Sequence, residues 1–399
     1  MVMTDIKIFG THDGDTIGQI TRCAQDESVV GAVLCGDGHR GYNMPIGGVI
    51  AYQGKISPAG VGFDIACGNK AVLTNLMWND IRKDFPRLMD TIYKSLSFGI
   101  GRVNTTDDVD DALFDDAAWN DIDVLSSAGL RDKARRQLGT VGSGNHYVDV
   151  FRDEADRIWI GVHFGSRGLG HTIASHYIRV AGGEPDGNMD SPPALLDANS
   201  ENVQHYIAAM DLAGHYAYAG RIWVCAKVAS ILGAQILDEV HNHHNFAWKE
   251  VVMGSDAWVV RKGATPAFPG QRGFVGGSMG DISVILEGTA GQVSRDALFS
   301  TIHGAGRVMS RTQAAGKMIY KGPNKGQRSG GQVSWEMLRK WIGDQGVELR
   351  GGGTDESPHC YKRLPDVLAC HAGTIRVIHT LRPLGVCMAG DDVFDPYKD

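Results

Sequence analysis

The chain has 399 residues, 43% of them hydrophobic, which is enough to bury a large core in one domain or in two closely packed lobes. Its seven cysteines form no Cys-x-x-Cys pair, its N-terminus lacks a signal-peptide pattern, and no apolar run reaches membrane-spanning length. We therefore expect a cytoplasmic protein without a disulfide framework or a membrane contact, and its net charge of −7 weakens, without excluding, a nucleic-acid substrate.

The first predicted elements are a helix and an acidic segment. Apolar residues recur at helical spacing over Asp80–Ser97, where Pro86 marks the first turn or a kink. The segment that follows concentrates the negative charge and is predicted to be a solvated helix face or loop. Its aspartates are Asp107, Asp108, Asp110, Asp111, Asp115, Asp116, Asp121 and Asp123. Basic residues cluster elsewhere, around Arg131–Arg136 and Arg307–Arg328.

Two strands are predicted next, over Tyr147–Phe151 and Ile158–Phe164, joined by a polar turn. A hairpin returns the chain to its start, so this pair would bring His146 and His163 to the same end of a sheet.

A long helix, or two in series, is predicted over Asn199–His243, with a cap at Ser200 or Asn199. Its end would deliver His244 to the site, while the other histidines of this stretch are read as surface or packing residues. Val284–Leu286 and Thr374–Thr380 have the composition of buried strands. The glycine-rich, basic segment Gly316–Gly331 is predicted to be a loop, either an RNA contact or a surface connection. We therefore predict a fold that contains both α-helices and β-strands.

His303 opens the run His303-Gly304-Ala305-Gly306-Arg307, which is suited to phosphoryl groups. Glycines let backbone N–H groups approach an anion, and Arg307 can grip phosphate oxygens in a two-pronged fashion. The ring would then be free to attack phosphorus. The alternative is a histidine satisfied by hydrogen bonds in a tight turn.

Other glycine-containing segments carry metal-ligand side chains. The candidates are Asp64, Cys67, His146, His163 and His244. This mixture of hard and soft ligands suits Mn²⁺ or Zn²⁺ better than Ca²⁺. The thiolate of Cys67 could bridge two ions, so that a paired site polarises both the entering and the leaving oxygen. Taken singly, each of these residues is better explained by burial in the core, and only their joint occurrence favours a metal site.

Taken together and in order, these segments resemble the RtcB family of RNA-splicing ligases, from about Asp37 to about Pro383. The matching segments are 37–42 (DGHRGY), 60–68 (GVGFDIACG), 139–146 (GTVGSGNH), 163–168 (HFGSRG), 244–245 (HN), 261–264 (RKGA), 277–280 (GSMG), 303–307 (HGAGR), 355–358 (DESP) and 361–362 (YK). The resemblance implies an α+β fold, with mixed β-sheets and surrounding helices around a central metal-binding cleft. It also implies one catalytic domain over 1–399 with a short C-terminal extension, 391–399.

The activity that the resemblance implies is joining of RNA ends with GTP and two Mn²⁺ ions. A 2′,3′-cyclic phosphate or 3′-phosphate end would be linked to a 5′-hydroxyl end through a covalent histidine–GMP adduct on His303, in RNA splicing or repair. Two other functions stay open. One is a metal-dependent RNA-end phosphoesterase or cyclic-phosphate hydrolase without guanylylation, and the other is a catalytically silent RNA-binding homologue. A helper protein and the oligomeric state are left undecided.

The resemblance assigns roles residue by residue. His303 is the implied nucleophile. The implied metal ligands are Asp64, Cys67, His146, His163 and His244. The implied nucleotide contacts are Asn145, Asp149, Ser278, Met279, Ser283, Gly304, Ala305, Gly306 and Tyr361. The implied contacts to phosphates or RNA ends are Asp37, Arg167, Lys262, Arg307 and Arg311.

The chain departs from the family pattern in three places. Ala389 stands where the family has a lysine that helps to recognise guanine, and the segment 391–399 follows a glycine that usually ends the chain. Asp149 replaces a glutamate, and Ala66 and Asn69 replace the glycine and the methionine that flank Cys67. We read the chain as a divergent branch, serving RNA repair more than tRNA splicing, and expect weak discrimination of guanine.

Overall fold

The secondary structure is taken from a computed structural model, which describes residues 4–105, 109–185, 189–319, 321, 328–391 and 393. Its strands, in chain order, are β1 Ile6–Ile8, β2 Val29–His39, β3 Ile46–Tyr52, β4 Lys55–Ile56, β5 Gly68–Met77, β6 Tyr147–Arg152, β7 Arg157–Phe164, β8 Leu196–Asp197, β9 Ile236–His243, β10 Asn245–Val252, β11 Ser255–Lys262, β12 Ala264–Pro266, β13 Arg272–Val275, β14 Ser283–Gly288, β15 Ser300–Ile302, β16 Lys317–Met318, β17 Arg328–Ser329, β18 Glu348–Gly352 and β19 Ile375–Gly390.

The α-helices, again in chain order, are α1 Gly14–Cys23, α2 Pro58–Val61, α3 Trp78–Ile81, α4 Phe85–Ser95, α5 Ala118–Asp121, α6 Asp123–Ser126, α7 Leu130–Gln137, α8 Arg167–Val180, α9 Glu201–Leu232, α10 Gln292–Asp296, α11 Arg311–Ala315, α12 Trp335–Gln345 and α13 Leu364–Ala369. Short 3₁₀ turns cover Ala112–Asp115, Thr354–Glu356 and Pro358–Cys360. The predicted α+β class is confirmed. None of the helices in the described ranges combines the length and the apolarity that crossing a membrane requires.

Two sheets organise the molecule. The larger has the strand order β13-β14-β19-β6-β7-β5-β9, with β18 paired parallel to β19, and the smaller has the order β1-β2-β3-β11-β10. Strands β6 and β7 are buried on both faces: Val148 and Ile160 pack with Val224 and Val228 of α9, while Phe151 packs on the opposite face. Such central strands read as continuous apolar runs in the sequence. The candidate site residues come from both sheets, since Asp37 lies on β2 and Lys262 on β11 of the smaller sheet, whereas His163 lies on β7 of the larger sheet.

The predicted hairpin is confirmed, because β6 and β7 pair antiparallel with Tyr147 opposite His163. The predicted helix over Asp80–Ser97 is divided into α3 and α4, and Pro86 lies in the first turn of α4, where its missing N–H costs nothing. Strand β14 contains the predicted Val284–Leu286. Strand β19 begins near the predicted Thr374 but continues to Gly390, and several of its first residues are exposed or only half-buried.

The prediction of helix through to His243 is wrong beyond Gly233. Helix α9 begins after Ser200, whose side chain accepts from the Val203 N–H as predicted, but it ends at Gly233 in the left-handed conformation (φ 70°). The chain then enters β9, which pairs antiparallel with β5. His244 is therefore delivered by the end of a strand and not by the end of a helix.

Part of the sequence-based prediction falls outside the described residues. This applies to Asp107 and Asp108 of the acidic segment, to 320 and 322–327 of the predicted basic loop, and to 392 and 394–399 of the C-terminal extension. The described ends of the predicted loop differ from a plain loop, since β16 and β17 pair there as a two-residue ribbon.

Candidate active site

Four neighbouring strands of the larger sheet bring metal-ligand side chains to one edge. Cys67 precedes β5 and His146 precedes β6, while His163 lies near the end of β7 and His244 follows β9. These strands are adjacent in the order β6-β7-β5-β9 and all pair antiparallel. Starts and ends of antiparallel neighbours alternate along one edge, so residues far apart in sequence meet there.

The ligand atoms converge in two groups that share one thiol. Asp64, Cys67 and His146 form the first group and Cys67, His163 and His244 the second, each with its ligand atoms within 4.8 Å of one another. The Cys67 Sγ lies 3.2 Å from His163 Nε2 and 3.7 Å from His146 Nε2, which lies 3.0 Å from Asp64 Oδ2. The structure thus brings together all five side chains predicted as metal ligands.

The protonation states suit a cation. Burial alone would raise the pKa of Asp64, but the hydrogen bond and the charge of His146, together with Cys67 and Arg167, outweigh it and lower that pKa to about 2. Burial, reinforced by nearby cationic groups, lowers the pKa of His163 to about 3 and that of His244 well below its usual value. Burial raises the pKa of the Cys67 thiol, so ionising it requires a positive charge such as a metal ion. One thiol, three imidazoles and one carboxylate fit a divalent transition metal.

A backbone carbonyl orients one of these rings. Nδ1 of His163 lies 3.0 Å from the Asn145 carbonyl oxygen, which can only accept, so Nδ1 donates and Nε2 points its lone pair at Cys67. The side chain of Asn145, a predicted nucleotide contact, lines the cavity beside the cluster.

The cluster opens into a cavity of about 970 Å³ whose wall includes His303. The rings of His303 and His244 have centroids 4.9 Å apart. The loop that carries His303 follows β15 and also contains Gly304, Ala305 and Gly306, all of which line the cavity. Gly306 has a φ of 78°, and a side chain there would collide with the backbone of Asp37, so glycine is required.

Asp37 holds this ring. The Nδ1 of His303 lies 2.6 Å from Asp37 Oδ2, and the same oxygen accepts from the backbone N–H of His303 (2.9 Å) and of Gly304 (3.2 Å). Burial alone would raise the pKa of Asp37, but the contacts with His303 outweigh it and the pKa is lowered. We expected Asp37 to contact phosphates or RNA ends; the structure instead places its carboxylate against His303, where it leaves Nε2 as the lone-pair nitrogen.

The predicted phosphate-binding arginines on the cavity wall are held by a buried carboxylate. Glu356 lies 3.2 Å from Arg307 Nη1 and 2.7 Å from Arg311 Nε, and it accepts from the hydroxyl of Tyr361. Burial alone would raise the pKa of Glu356, but the two guanidinium groups lower it to about 2. Arg307 also donates to Tyr361 and to the carbonyls of Met309 and Asp355. Its hydrogen bonds are thus directed at protein atoms, which differs from the predicted two-pronged grip on a phosphate.

Of two other predicted phosphate contacts, Lys262 lines the cavity and Arg167 does not. The Nζ of Lys262 donates to the carbonyls of Tyr42 (2.5 Å) and Ala59 (3.4 Å), and burial lowers the pKa of this lysine to about 8. Arg167 donates to Thr140 and to the Gly99 carbonyl and is absent from the cavity wall that the described residues form.

One part of the cavity wall, which we call the apolar end, consists of Asp149 and of four side chains that belong to one hydrophobic cluster, Tyr147, Met279, Val386 and Met388. The Tyr147 ring borders the metal-ligand cluster, with its centroid 5.4 Å from that of His163. The Tyr147 hydroxyl and Asp149 Oδ1 are buried and have no hydrogen-bond partner among the described residues. Burial raises the pKa of Asp149 well above its usual value and so favours the protonated form of this carboxyl.

The remaining predicted nucleotide contacts lie close to this end. Ser278 lines the cavity, whereas Ser283 accepts from the Gly277 N–H (3.0 Å) and acts on the loop that carries Ser278. Ala389 lies on β19 among the apolar residues that pack against Val141, and it does not line the cavity. The strand position at which the family resemblance led us to expect a lysine thus contributes no positive charge to the apolar end.

Sequence reasoning missed several residues. Glu356 and His39 belong to two of the segments that carry the family resemblance, but the sequence assigned neither of them a role. Nδ1 of His39 is 3.0 Å from the Asp37 carbonyl oxygen, and its ring lines the cavity. Tyr147 was recognised only as the start of a strand. Asn69, noted as a departure from the family, donates to the carbonyls of Phe274 (2.9 Å) and His303 (3.5 Å) and so links β5 to the His303 loop.

Comparison with known proteins adds an independent line. A family model described as tRNA-splicing ligase RtcB matches residues 19–389. The tRNA-splicing ligase RtcB of Thermococcus kodakarensis is 32% identical over 89% of this chain and 87% of its own length. The RNA-splicing ligase RtcB of Escherichia coli K12 is 31% identical over 89% of this chain and 88% of its own length. The tRNA-splicing ligase RtcB of Archaeoglobus fulgidus is 29% identical over 95% of this chain and 92% of its own length.

Proposed function

This chain belongs to the tRNA-splicing ligase RtcB family, and we propose that it is an RNA ligase that joins 3′-phosphate or 2′,3′-cyclic phosphate ends to 5′-hydroxyl ends with GTP. The observation that carries the proposal is the position of His303. Its ring is oriented by a buried carboxylate, borders a large cavity and lies beside a cluster of metal-ligand side chains.

His303 is the proposed nucleophile. Because Asp37 only accepts, Nδ1 carries the proton and Nε2 presents its lone pair, which is the state needed to attack the α-phosphorus of GTP. A phosphorus–nitrogen bond forms, pyrophosphate leaves, and GMP stays on the ring. Asp37 stabilises the positive charge that the ring gains as the bond forms.

Manganese is the proposed metal, as two ions held by the two ligand groups that share Cys67. When bound, such ions neutralise charge on phosphate oxygens and polarise the entering and leaving oxygens. Around them, Lys262, Arg307 and Arg311 supply positive charge at the cavity wall, which favours the phosphates of GTP and of the RNA ends.

The second and third steps use the same cavity. The guanylyl group passes from His303 to the RNA 3′-phosphate, and a cyclic phosphate is first opened by hydrolysis. The 5′-hydroxyl oxygen of the partner strand then attacks that phosphate, its proton is released, a 3′,5′-phosphodiester forms and GMP leaves. The apolar end, with its buried polar atoms on Tyr147 and Asp149, is the proposed binding region for the base.

One observation favours a second candidate function. The side chain at position 389 is a methyl group outside the cavity, so the strand that lines the base-binding region provides no cation for a nucleobase there. A metal-dependent RNA-end phosphoesterase would use the same ligand cluster without a nucleotide. The test below separates the two.

The test is covalent labelling. The protein is incubated with α-³²P-labelled GTP and Mn²⁺ and separated by denaturing electrophoresis. In a parallel reaction it is incubated with GTP, Mn²⁺ and RNA that carries a 3′-phosphate and a 5′-hydroxyl, and RNA joining is measured. We expect an acid-labile label on the native chain, RNA joining, and loss of both in His303→Ala. His379→Ala is the matched control, since this histidine lies by Glu154, outside the cavity wall that the described residues form, and both activities should persist.

Removal of RNA-end phosphates without label would support the phosphoesterase instead, and label that survives His303→Ala would overturn the proposed nucleophile. The same assay with labelled ATP measures base choice, for which we expect weak discrimination because of Ala389.

We place this activity in the cytoplasm. All seven cysteines are unpaired, six of them buried, which suits a reducing compartment.

A further inference from the structure

A buried arginine lies directly behind the metal-ligand cluster. Arg221, on α9, is fully buried and makes four hydrogen bonds. Its Nη1 donates to the carbonyls of Ala66 (3.0 Å) and Phe164 (2.5 Å), its Nη2 to Nδ1 of His243 (3.0 Å), and its Nε to Nε2 of His241 (2.7 Å). None of these partners is itself a proposed metal ligand.

Three of the four partners are next to a ligand in the chain. Ala66 precedes Cys67, Phe164 follows His163, and His243 precedes His244. These are the three members of one ligand group. A single planar guanidinium therefore contacts the neighbour of every ligand in that group, across β5, β7 and β9.

The hydrogen-bond chemistry requires a cation. Arginine only donates, so Nε2 of His241 presents its lone pair to Nε of Arg221. Nδ1 of His243 accepts from Nη2 in the tautomer that does not donate to the Ala66 carbonyl, which lies 3.2 Å from the same nitrogen. Burial lowers the pKa of the His241 ring, which agrees. Burial also lowers the pKa of Arg221, to about 10, which still leaves it charged near neutral pH.

This charge has no carboxylate partner among the ion pairs of the described residues. A second fully buried arginine, Arg261 on β11, is different: it bonds both oxygens of Glu250 at 2.5 and 3.1 Å, as well as Ser300. A buried charge is costly unless it is paired or fully hydrogen-bonded. Arg261 meets this condition with a counter-ion, whereas Arg221 meets it only through atoms that hold the cluster.

We propose that Arg221 is a positioning residue of the metal centre, which fixes Cys67, His163 and His244 relative to one another by binding the residue beside each. This rests on the proposed metal function.

Substitution would act on metal affinity more than on the fold. Arg221→Met keeps length and apolar packing but leaves two carbonyls and two ring nitrogens without a donor. Arg221→Lys keeps the charge, but one ammonium cannot reach four acceptors in a plane. Loss of a group that orients metal ligands weakens metal binding by about 10–100-fold.

The experiment titrates Co²⁺ into the metal-free full-length chain, following heat by calorimetry and the thiolate-to-cobalt charge-transfer band by absorbance. We expect Arg221→Met and Arg221→Lys to bind Co²⁺ about 10–100-fold more weakly than the native chain and to show a weaker band. Arg261→Met is the matched control. It removes a buried arginine from the smaller sheet, which should lower the stability of the protein but leave the cobalt affinity and the absorbance band unchanged.

Two results would overturn the inference: Arg221→Lys that binds Co²⁺ as tightly as the native chain, or Arg261→Met that loses as much affinity as Arg221→Met. If Arg221→Met does not fold, Arg221→Lys still decides. The readout needs neither GTP nor RNA, so failure of the ligase proposal appears in the labelling assay, and a native chain that binds no Co²⁺ overturns the metal centre and this inference together.

Discussion

The two ends of the cavity are built differently. At the cluster end the rings are held from behind: His163 by the Asn145 carbonyl, His303 by Asp37, and the residue before His244 by Arg221. At the apolar end, the Tyr147 hydroxyl and Asp149 Oδ1 are buried without a partner among the described residues, and no hydrogen bond to these atoms orients either side chain. The cluster end also has buried atoms without a partner in the described part of the chain, namely Asp37 Oδ1, His146 Nδ1 and His244 Nδ1, but the rings named above are fixed there by hydrogen bonds. An unsatisfied buried polar atom costs about 1–3 kcal/mol, so a ligand that bonds to the atoms of the apolar end would remove that cost. The cluster end is preorganised for chemistry.

Removing the shared thiol should be the most damaging way to break the cluster end. Cys67 belongs to both ligand groups, so Cys67→Ala should abolish both ion sites, whereas His146→Ala should leave the group of Cys67, His163 and His244. We expect RNA joining to fall roughly 10³-fold or more, because metal ions supply several kcal/mol of transition-state stabilisation. Bound manganese is counted by mass spectrometry after dialysis.

The exposed Cys370 provides the control, since Cys370→Ala should bind manganese as the native chain does. Equal metal loss in Cys67→Ala and His146→Ala would contradict a shared thiol.

Asp37→Asn tests orientation without touching the ions. The amide can donate to Nδ1 of His303 and thereby move the ring proton to Nε2, the attacking nitrogen. Guanylylation should slow by roughly 10³–10⁴-fold, as when an orienting carboxylate is removed from a catalytic histidine. Single-turnover labelling with GTP gives the rate, and bound manganese should stay at the native level. A rate close to native would show that the hydrogen bond between Asp37 and His303 is not needed.

Substitution at the apolar end should increase the stability of the protein, whereas the substitutions at the cluster end should lower its activity. The folded-state pKa of Asp149 is raised, so between its unfolded and folded pKa values the folded chain holds a proton that the unfolded chain releases. Stability therefore falls as pH rises through that window. Asp149→Asn removes this dependence and should raise the free energy of unfolding near pH 7 by about 1–3 kcal/mol, with little effect near pH 4.

Urea unfolding of both chains at the two pH values measures this difference, and labelling should show weaker use of GTP by the variant. Equal changes in stability at both pH values would contradict a buried, protonated Asp149.

Local patterns predicted the hairpin of β6 and β7, the Ser200 cap and the mixed α+β class, because turn, capping and periodicity signals act over a few residues. The helix assignment failed beyond Gly233, where a largely polar stretch became β9 through pairing with β5. A strand that depends on a partner from distant sequence is not specified by local propensity. The same limit explains why Arg221, one residue of a long helix, carried no signal.

By itself, the sequence determined which chemical groups are present: a histidine among glycines, five candidate metal ligands and an aspartate, Asp149, where the family resemblance led us to expect a glutamate. The tertiary structure decided what each group contacts. It turned Asp37 from a predicted phosphate contact into the partner of His303, directed Arg307 at Glu356, and gathered the backbone and side chains around three ligands onto Arg221. The physical reason is that donor, acceptor and charge are properties of a residue, whereas partners and burial follow from pairing between strands that are remote in the chain.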